Sequence, residues 1–102
     1  MTYYIYILFS ESSDRFYVGY AKDPWNRLTQ HLTNDSNKFT GKVNDWKLKA
    51  VFEVSENAGD AIKLERFIKK QKSRKLIELL CDDHFVPQGT LAQLVRVPHV
   101  RD

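Results

Sequence analysis

Two runs decide the fold of this chain: Tyr3-Tyr4-Ile5-Tyr6-Ile7-Leu8-Phe9 and, a few residues on, Arg15-Phe16-Tyr17-Val18-Gly19-Tyr20. In the first, Tyr3, Ile5, Ile7 and Phe9 alternate against Tyr4, Tyr6 and Leu8. A run that is aromatic and β-branched on both faces predicts a strand covered on both sides, hence a central one. Glu11-Ser12-Ser13-Asp14 is polar and turn-like, so the second run folds back as the partner of an antiparallel hairpin. Gly19 within that second run marks either a bulge or close backbone approach, or the end of the strand.

Asp23-Pro24 follows, a helix start with Asp as N-cap and Pro at the first helical position. The helix is predicted to run to about Leu32, packing Trp25, Leu28 and Leu32 on the sheet. Arg27, His31 and Asn34 take its other side. Residues 33–45 are polar and irregular, with Thr40-Gly41 as a turn. From 46 to 54 the pattern alternates again. Trp46, Leu48, Ala50, Phe52 and Val54 are predicted on one covered face, with Lys47, Lys49 and Glu53 opposite. A long helix is predicted from Asn57 or Ala58 to Gln71, with Ala61, Leu64 and Ile68 as its apolar stripe. Ser73 can cap a second, short helix carrying Leu76, Ile77, Leu79 and Leu80. The order β-β-α-β-α-α implies a small α+β domain, a three-stranded antiparallel sheet with packed helices. That domain is expected over 1–83. Residues 84–102, interrupted by Pro87, Gly89 and Pro98, read as an appendage for which disorder is open. Docking of Leu91-Ala92-Gln93-Leu94-Val95 as a strand or helix is equally open.

The chain has 102 residues, enough for one domain with one core, and 42% of them are hydrophobic. The formal charge of +3 permits nucleic-acid binding without establishing it. The lone Cys81 reads as a small buried hydrophobe in a reducing, cytoplasmic setting. No apolar run has membrane-spanning length, and the N-terminus does not read as a signal peptide. Charge is uneven: between Lys63 and Lys75 stand Lys63, Arg66, Lys69, Lys70, Lys72, Arg74 and Lys75, opposed only by Glu65. Such a patch can neutralise phosphates and make binding salt-dependent, although a solvated helix face would look the same.

Phosphodiester hydrolysis needs a base for water, positive charge for the phosphoryl oxygens and, commonly, a metal held by oxygen ligands. Arg27 offers a planar, permanently charged fork, and His31 shares its helix face at i,i+4. Tyr6 and Tyr17 stand on adjacent strands, so both hydroxyls can enter one pocket, though aromatic packing is the plainer duty for either. Glu65 falls at the edge of the Ala61–Leu64–Ile68 stripe, where a carboxylate can be held rigidly and offer oxygen to Mg²⁺. An ordinary Glu65–Lys69 pair is the competing reading.

In these residues the chain resembles the GIY-YIG nuclease superfamily, in particular its small stand-alone bacterial members related to the N-terminal nuclease domain of the excision-repair subunit UvrC. Tyr4-Ile5-Tyr6 stands at the first triplet and Tyr17-Val18-Gly19 at the second. Arg27 and His31 match the following helix, and Glu65 matches the later one; the likeness covers about residues 2–80. Tyr4 replaces the first glycine, and the family's later polar residue, often Asn, has no match that can be placed. The resemblance implies a metal-dependent endonuclease acting on DNA, single-stranded or branched forms included, in repair or recombination. One Mg²⁺ or Mn²⁺ would be held by Glu65. Tyr17 would take a proton from the attacking water, with Tyr6 positioning it, Arg27 offsetting phosphoryl charge and His31 relaying a proton or orienting the base. A phenol must be brought below its usual ~10 to do this near neutral pH, and Arg27 and the metal are the expected causes.

The alternative is a non-catalytic nucleic-acid-binding module that keeps the fold and the basic helix. A domain meeting an acidic protein partner is the third reading. So short a chain covers few nucleotides, which leaves room for a homodimer or a partner.

Overall fold

The computed structural model describes residues 1–33 and 45–98, with the backbone alone for residues 31–33. In chain order these form β1 (Tyr3–Ser10), β2 (Arg15–Ala21), α1 (Pro24–Thr33), β3 (Trp46–Ser55), α2 (Ala58–Lys70), α3 (Arg74–Leu80), a 3-10 turn (Gly89–Gln93) and β4 (Val95–Arg96). The fold is α+β, as the pattern implies. Its antiparallel sheet runs β2-β1-β3-β4, one strand more than expected. β1 is central, and Ile5, Tyr6, Ile7 and Leu8 are all 0% exposed.

The hairpin closes over residues 11–14, with Ser10 opposite Arg15 and Asp14 in the left-handed region at φ 53°. Polar side chains lock both ends of this turn. Asp14 accepts from Arg74 at 2.7 Å, joining the turn to α3. The buried Ser10 hydroxyl donates to Asp45 at 2.6 Å, and the Ser12 N–H donates to the other carboxylate oxygen at 2.9 Å. Asp45 thereby fixes the chain just before β3 begins.

Both faces of the sheet are covered. Tyr6, Leu8, Trp46, Leu48 and Val51 form one cluster, with Leu28 of α1 against it. Ile5, Ile7, Val18, Ala50 and Phe52 form the other, under Leu64 and Ile68 of α2 and Leu80 of α3. This corrects the single-face reading of residues 46–54. Ile7 lies opposite Ala50 while Leu8 lies opposite Leu48, so Lys49 is an extra residue in β3, a β-bulge. The bulge turns Trp46 and Leu48 to the α1 face and leaves Ala50, Phe52 and Val54 on the α2 face.

The helix signals hold locally. Asn26 N–H donates to Asp23 at 3.0 Å, Gly59 N–H to Asn57 at 2.8 Å and Leu76 N–H to Ser73 at 3.1 Å, so all three caps are made. Ala61, Leu64 and Ile68 are the buried stripe of α2. Trp25 departs from its expected packing. It is 39% exposed and stands edge-on to Tyr4, with ring centroids 6.2 Å apart. Asn34, Thr40 and Gly41 lie outside the described residues, as does the side chain of Leu32.

Beyond Asp83 the chain departs from the expected appendage. Leu91 and Leu94 are 7% and 5% exposed and join the α2-face cluster. Arg96 sets its guanidinium 4.8 Å from the Phe52 ring centre and donates to the Asp82 carbonyl at 2.8 Å. Val97 N–H donates to the Val51 carbonyl at 2.9 Å, extending the sheet edge. Among the described residues no helix is long and apolar enough to cross a membrane.

Candidate active site

Register places the two tyrosines. Tyr6 of β1 lies opposite Gly19 of β2, and Leu8 lies opposite Tyr17. Tyr6 and Tyr17 are therefore diagonal neighbours on one face. Their ring centres are 6.2 Å apart at 40°. Gly19 makes this possible by its lack of a side chain. Its backbone is not among the left-handed positions, but a Cβ there would sit 2.6 Å from the Tyr6 Oη and 2.7 Å from its Cζ. The Tyr6 ring lies across the space that any other residue would fill. Of the two sequence readings for Gly19, close approach is the one realised.

Arg27 projects from the second turn of α1 and hydrogen-bonds the Tyr6 hydroxyl. A further hydrogen bond links the Tyr6 and Tyr17 hydroxyls. Glu65 comes from α2, whose apolar stripe covers the opposite face of the sheet. Because β2 is the sheet edge, Glu65 reaches past it into the same cleft. There its side chain is 17% exposed and pairs with Lys69 at 3.6 Å. Lys69 in turn lies 5.5 Å from the centre of the Tyr17 ring. The ordinary i,i+4 pair and the cleft-lining position thus coexist in one residue.

The resulting cleft is open, about 520 Å³ in volume, and Tyr6, Tyr17, Arg27 and Glu65 all line it. The backbone of His31 lies in α1, one turn beyond Arg27, but its side chain is outside the described residues. Asp23 and Asn26 also line the cleft and escaped the sequence reading. The available signal was helical: Asp23 precedes Arg27 by four residues and so shares its face.

Burial pushes the Tyr6 phenol up to about 12, with Tyr17 and Glu65 adding to the shift and Arg27 opposing it. Burial also raises Tyr17, with Arg27 and the Tyr6 hydrogen bond opposing. The expected lowering by Arg27 is present in both but is outweighed by desolvation. Tyr6 is fully buried, whereas Tyr17 is only half-buried.

Among the described residues no three His, Cys, Asp or Glu side chains gather as a metal cage. Glu65, a partly buried carboxylate in an open cleft, does suit Mg²⁺, which keeps several waters and takes further oxygens from phosphate, while Asp23 in the same lining caps α1. The basic residues named from sequence do not all line one depression. Lys63 lines a depression shared with Asp60, Thr90 and Gln93. Arg74 is engaged by Asp14 and Glu78. Arg66, Lys70, Lys72 and Lys75 are exposed.

Searches of curated proteins and of solved structures return no match. A family model described as the GIY-YIG catalytic domain does match, over residues 2–77, a span that contains both tyrosines, Arg27 and Glu65. On that match the chain belongs to the GIY-YIG nuclease superfamily, and nuclease-type chemistry is the activity that accompanies its domain.

Proposed function

We propose that this protein is a metal-dependent endonuclease that hydrolyses DNA phosphodiester bonds. The convergence of Tyr6, Tyr17, Arg27 and Glu65 on one open cleft carries this reading. Hydrolysis requires a proton to leave the attacking water, charge to be offset on the phosphoryl oxygens, and the leaving oxygen to be stabilised.

Tyr17 receives the water proton, since it is the partly exposed tyrosine of the pair. Tyr6, buried and held neutral, donates to the Tyr17 oxygen and fixes its direction. A neutral phenol can accept a proton only if its own proton leaves. His31, on the same helix as Arg27, is the side chain proposed for that relay. Arg27 spans from the Tyr6 hydroxyl into the cleft, where its guanidinium can meet two phosphoryl oxygens at once. A divalent ion held by Glu65, Mg²⁺ or Mn²⁺, would supply further positive charge at the phosphate. The openness of the cleft suits single-stranded or branched DNA, and repair or recombination is the setting proposed.

The test is cleavage of single-stranded, branched and duplex DNA by purified protein with Mg²⁺ or Mn²⁺. Loss of an electrostatic donor of this kind costs about 10²–10³ in rate, so Arg27→Ala should fall by that factor. Glu65→Ala should fall likewise and lose its response to added metal. No cleavage above the Arg27→Ala control on any substrate would sink the reading. Binding that survives both Glu65→Ala and EDTA, without turnover, would point to a binding module instead.

A further inference from the structure

We propose that the corner between β2 and the α2–α3 junction is a second anion subsite, holding the phosphodiester backbone of a single DNA strand as it leaves the cleft. The inference rests on the nuclease reading above and adds to it a strand path.

The corner is a depression of about 260 Å³ lined by four cations, Arg15, Lys69, Lys72 and Arg74, and by no acid. Two of the four are already engaged, Lys69 by Glu65 at 3.6 Å and Arg74 by Asp14 at 2.7 Å. Arg15 and Lys72 are exposed, and among the described residues neither has an ion-pair partner. Their charge is available to a polyanion.

Lys72 is placed by the end of α2. It follows the C-cap of α2 with φ 49°, a left-handed backbone that glycine or asparagine adopts more easily. Helices commonly end in this way, so the end of α2 sets where the Lys72 side chain leaves the backbone beside the corner it lines.

Lys69 joins the corner to the cleft. Its side chain lines the corner, while its ammonium lies 3.6 Å from Glu65 and 5.5 Å from the Tyr17 ring centre. The two sites also sit on opposite sides of the sheet edge. Tyr17 packs with the α1 face, whereas Phe16, which lines the corner, packs with the α2 face. A backbone passing from one to the other must turn around β2. Duplex DNA is stiff over roughly 150 base pairs and cannot follow that turn, whereas a single strand can.

The test compares wild type with Arg15→Gln/Lys72→Asn. Both positions are exposed, and asparagine tolerates the left-handed backbone, so the fold should persist; matching circular dichroism and thermal melts check this. Affinity is measured across a salt series for a labelled single strand of about 12 nucleotides, for a trinucleotide and for a blunt duplex. Single-strand binding loses about 0.7 of log–log salt slope per phosphate contact, so the longer strand should lose about 1.4. Slopes for the trinucleotide and the duplex should match wild type. An unchanged slope for the longer strand would overturn the proposal, as would an equal drop for the trinucleotide or duplex. Cleavage of the same strand by wild type with Mg²⁺, run in parallel, reports on the cleft alone. Its absence would strike the nuclease reading while the salt slopes still judge the corner.

Discussion

Replacing Gly19 by alanine should separate the two tyrosines from their present packing. The added Cβ would lie 2.6 Å from the Tyr6 Oη, 2.7 Å from its Cζ and 3.0 Å from Tyr17 Cε2. Ordinary carbon contacts fall at about 3.5–4.0 Å, so the ring must retreat by roughly 1 Å. Tyr6 is 0% exposed and β1 is hydrogen-bonded on both sides, so there is little room to retreat. Overpacking of this kind costs about 1–3 kcal/mol. Restriction of the unfolded chain returns about 0.4–1 kcal/mol. The net expected loss is about 1–2 kcal/mol, or roughly 5–15 °C in Tm for a domain of this size. Urea unfolding of Gly19→Ala, Tyr6→Leu and the double variant would measure it. The alanine should cost clearly less in the Tyr6→Leu background, where neither Oη nor Cζ remains. Equal costs in both backgrounds, or an alanine variant as stable as wild type, would refute the close-approach account of this glycine.

Tyr6 should ionise late, near pH 12, in an ultraviolet phenolate titration, and Tyr6→Phe should remove that late step. Its raised folded value means that the unfolded chain ionises first. The stability it contributes is complete below about pH 10 and should fall by roughly 2–3 kcal/mol as pH rises to about 12. Asp45 has the opposite sign. The Ser10 and Ser12 hydrogen bonds hold it below its ordinary 3.8, so its contribution is present above that pH and lost as pH falls further. Asp45→Asn should flatten the acid limb of a stability–pH curve. Leu91→Ala removes a side chain only 7% exposed and should destabilise the domain by about 2–4 kcal/mol in chemical unfolding, which tests whether the C-terminal segment belongs to the core. Tyr17→Phe should lower kcat/KM on DNA by about 10²–10⁴, with binding affinity little changed.

Much of this arrangement was legible because its signals are local. The hairpin followed from two apolar runs around a polar turn, and the three helix starts from Asp23, Asn57 and Ser73. The gathering of Tyr6, Tyr17, Arg27 and Glu65 was legible only as an ordered set, since each residue alone has a plainer use. What escaped depends on tertiary context. An extra residue at Lys49 leaves the i,i+2 spacing of apolar side chains intact, so no pattern betrays it. Trp25 lies on the right stripe of α1 and stands against Tyr4 at the rim of the cluster that Leu28 joins, yet stays 39% exposed. Leu91 and Leu94 are too few to show a period, and their burial comes from the surface they meet. The desolvation of the phenols likewise requires knowing what covers them.

The bulge in β3 also sets where the chain tolerates a change of length. A strand assigns each residue to a face by odd or even count, and Lys49 resets that parity in mid-strand. Residues before it answer to the cleft side, where Trp46 meets Tyr17 edge-on at 6.4 Å. After it Ala50, Phe52 and Val54 answer to the α2 side, while Val51 alternates back to the α1 side. A single deletion within 47–49 would restore simple alternation and present either Trp46 or Phe52 to the wrong layer. The parity change at Lys49 lets one strand support Tyr17 of the cleft through Trp46 at one end and floor the opposite core at the other.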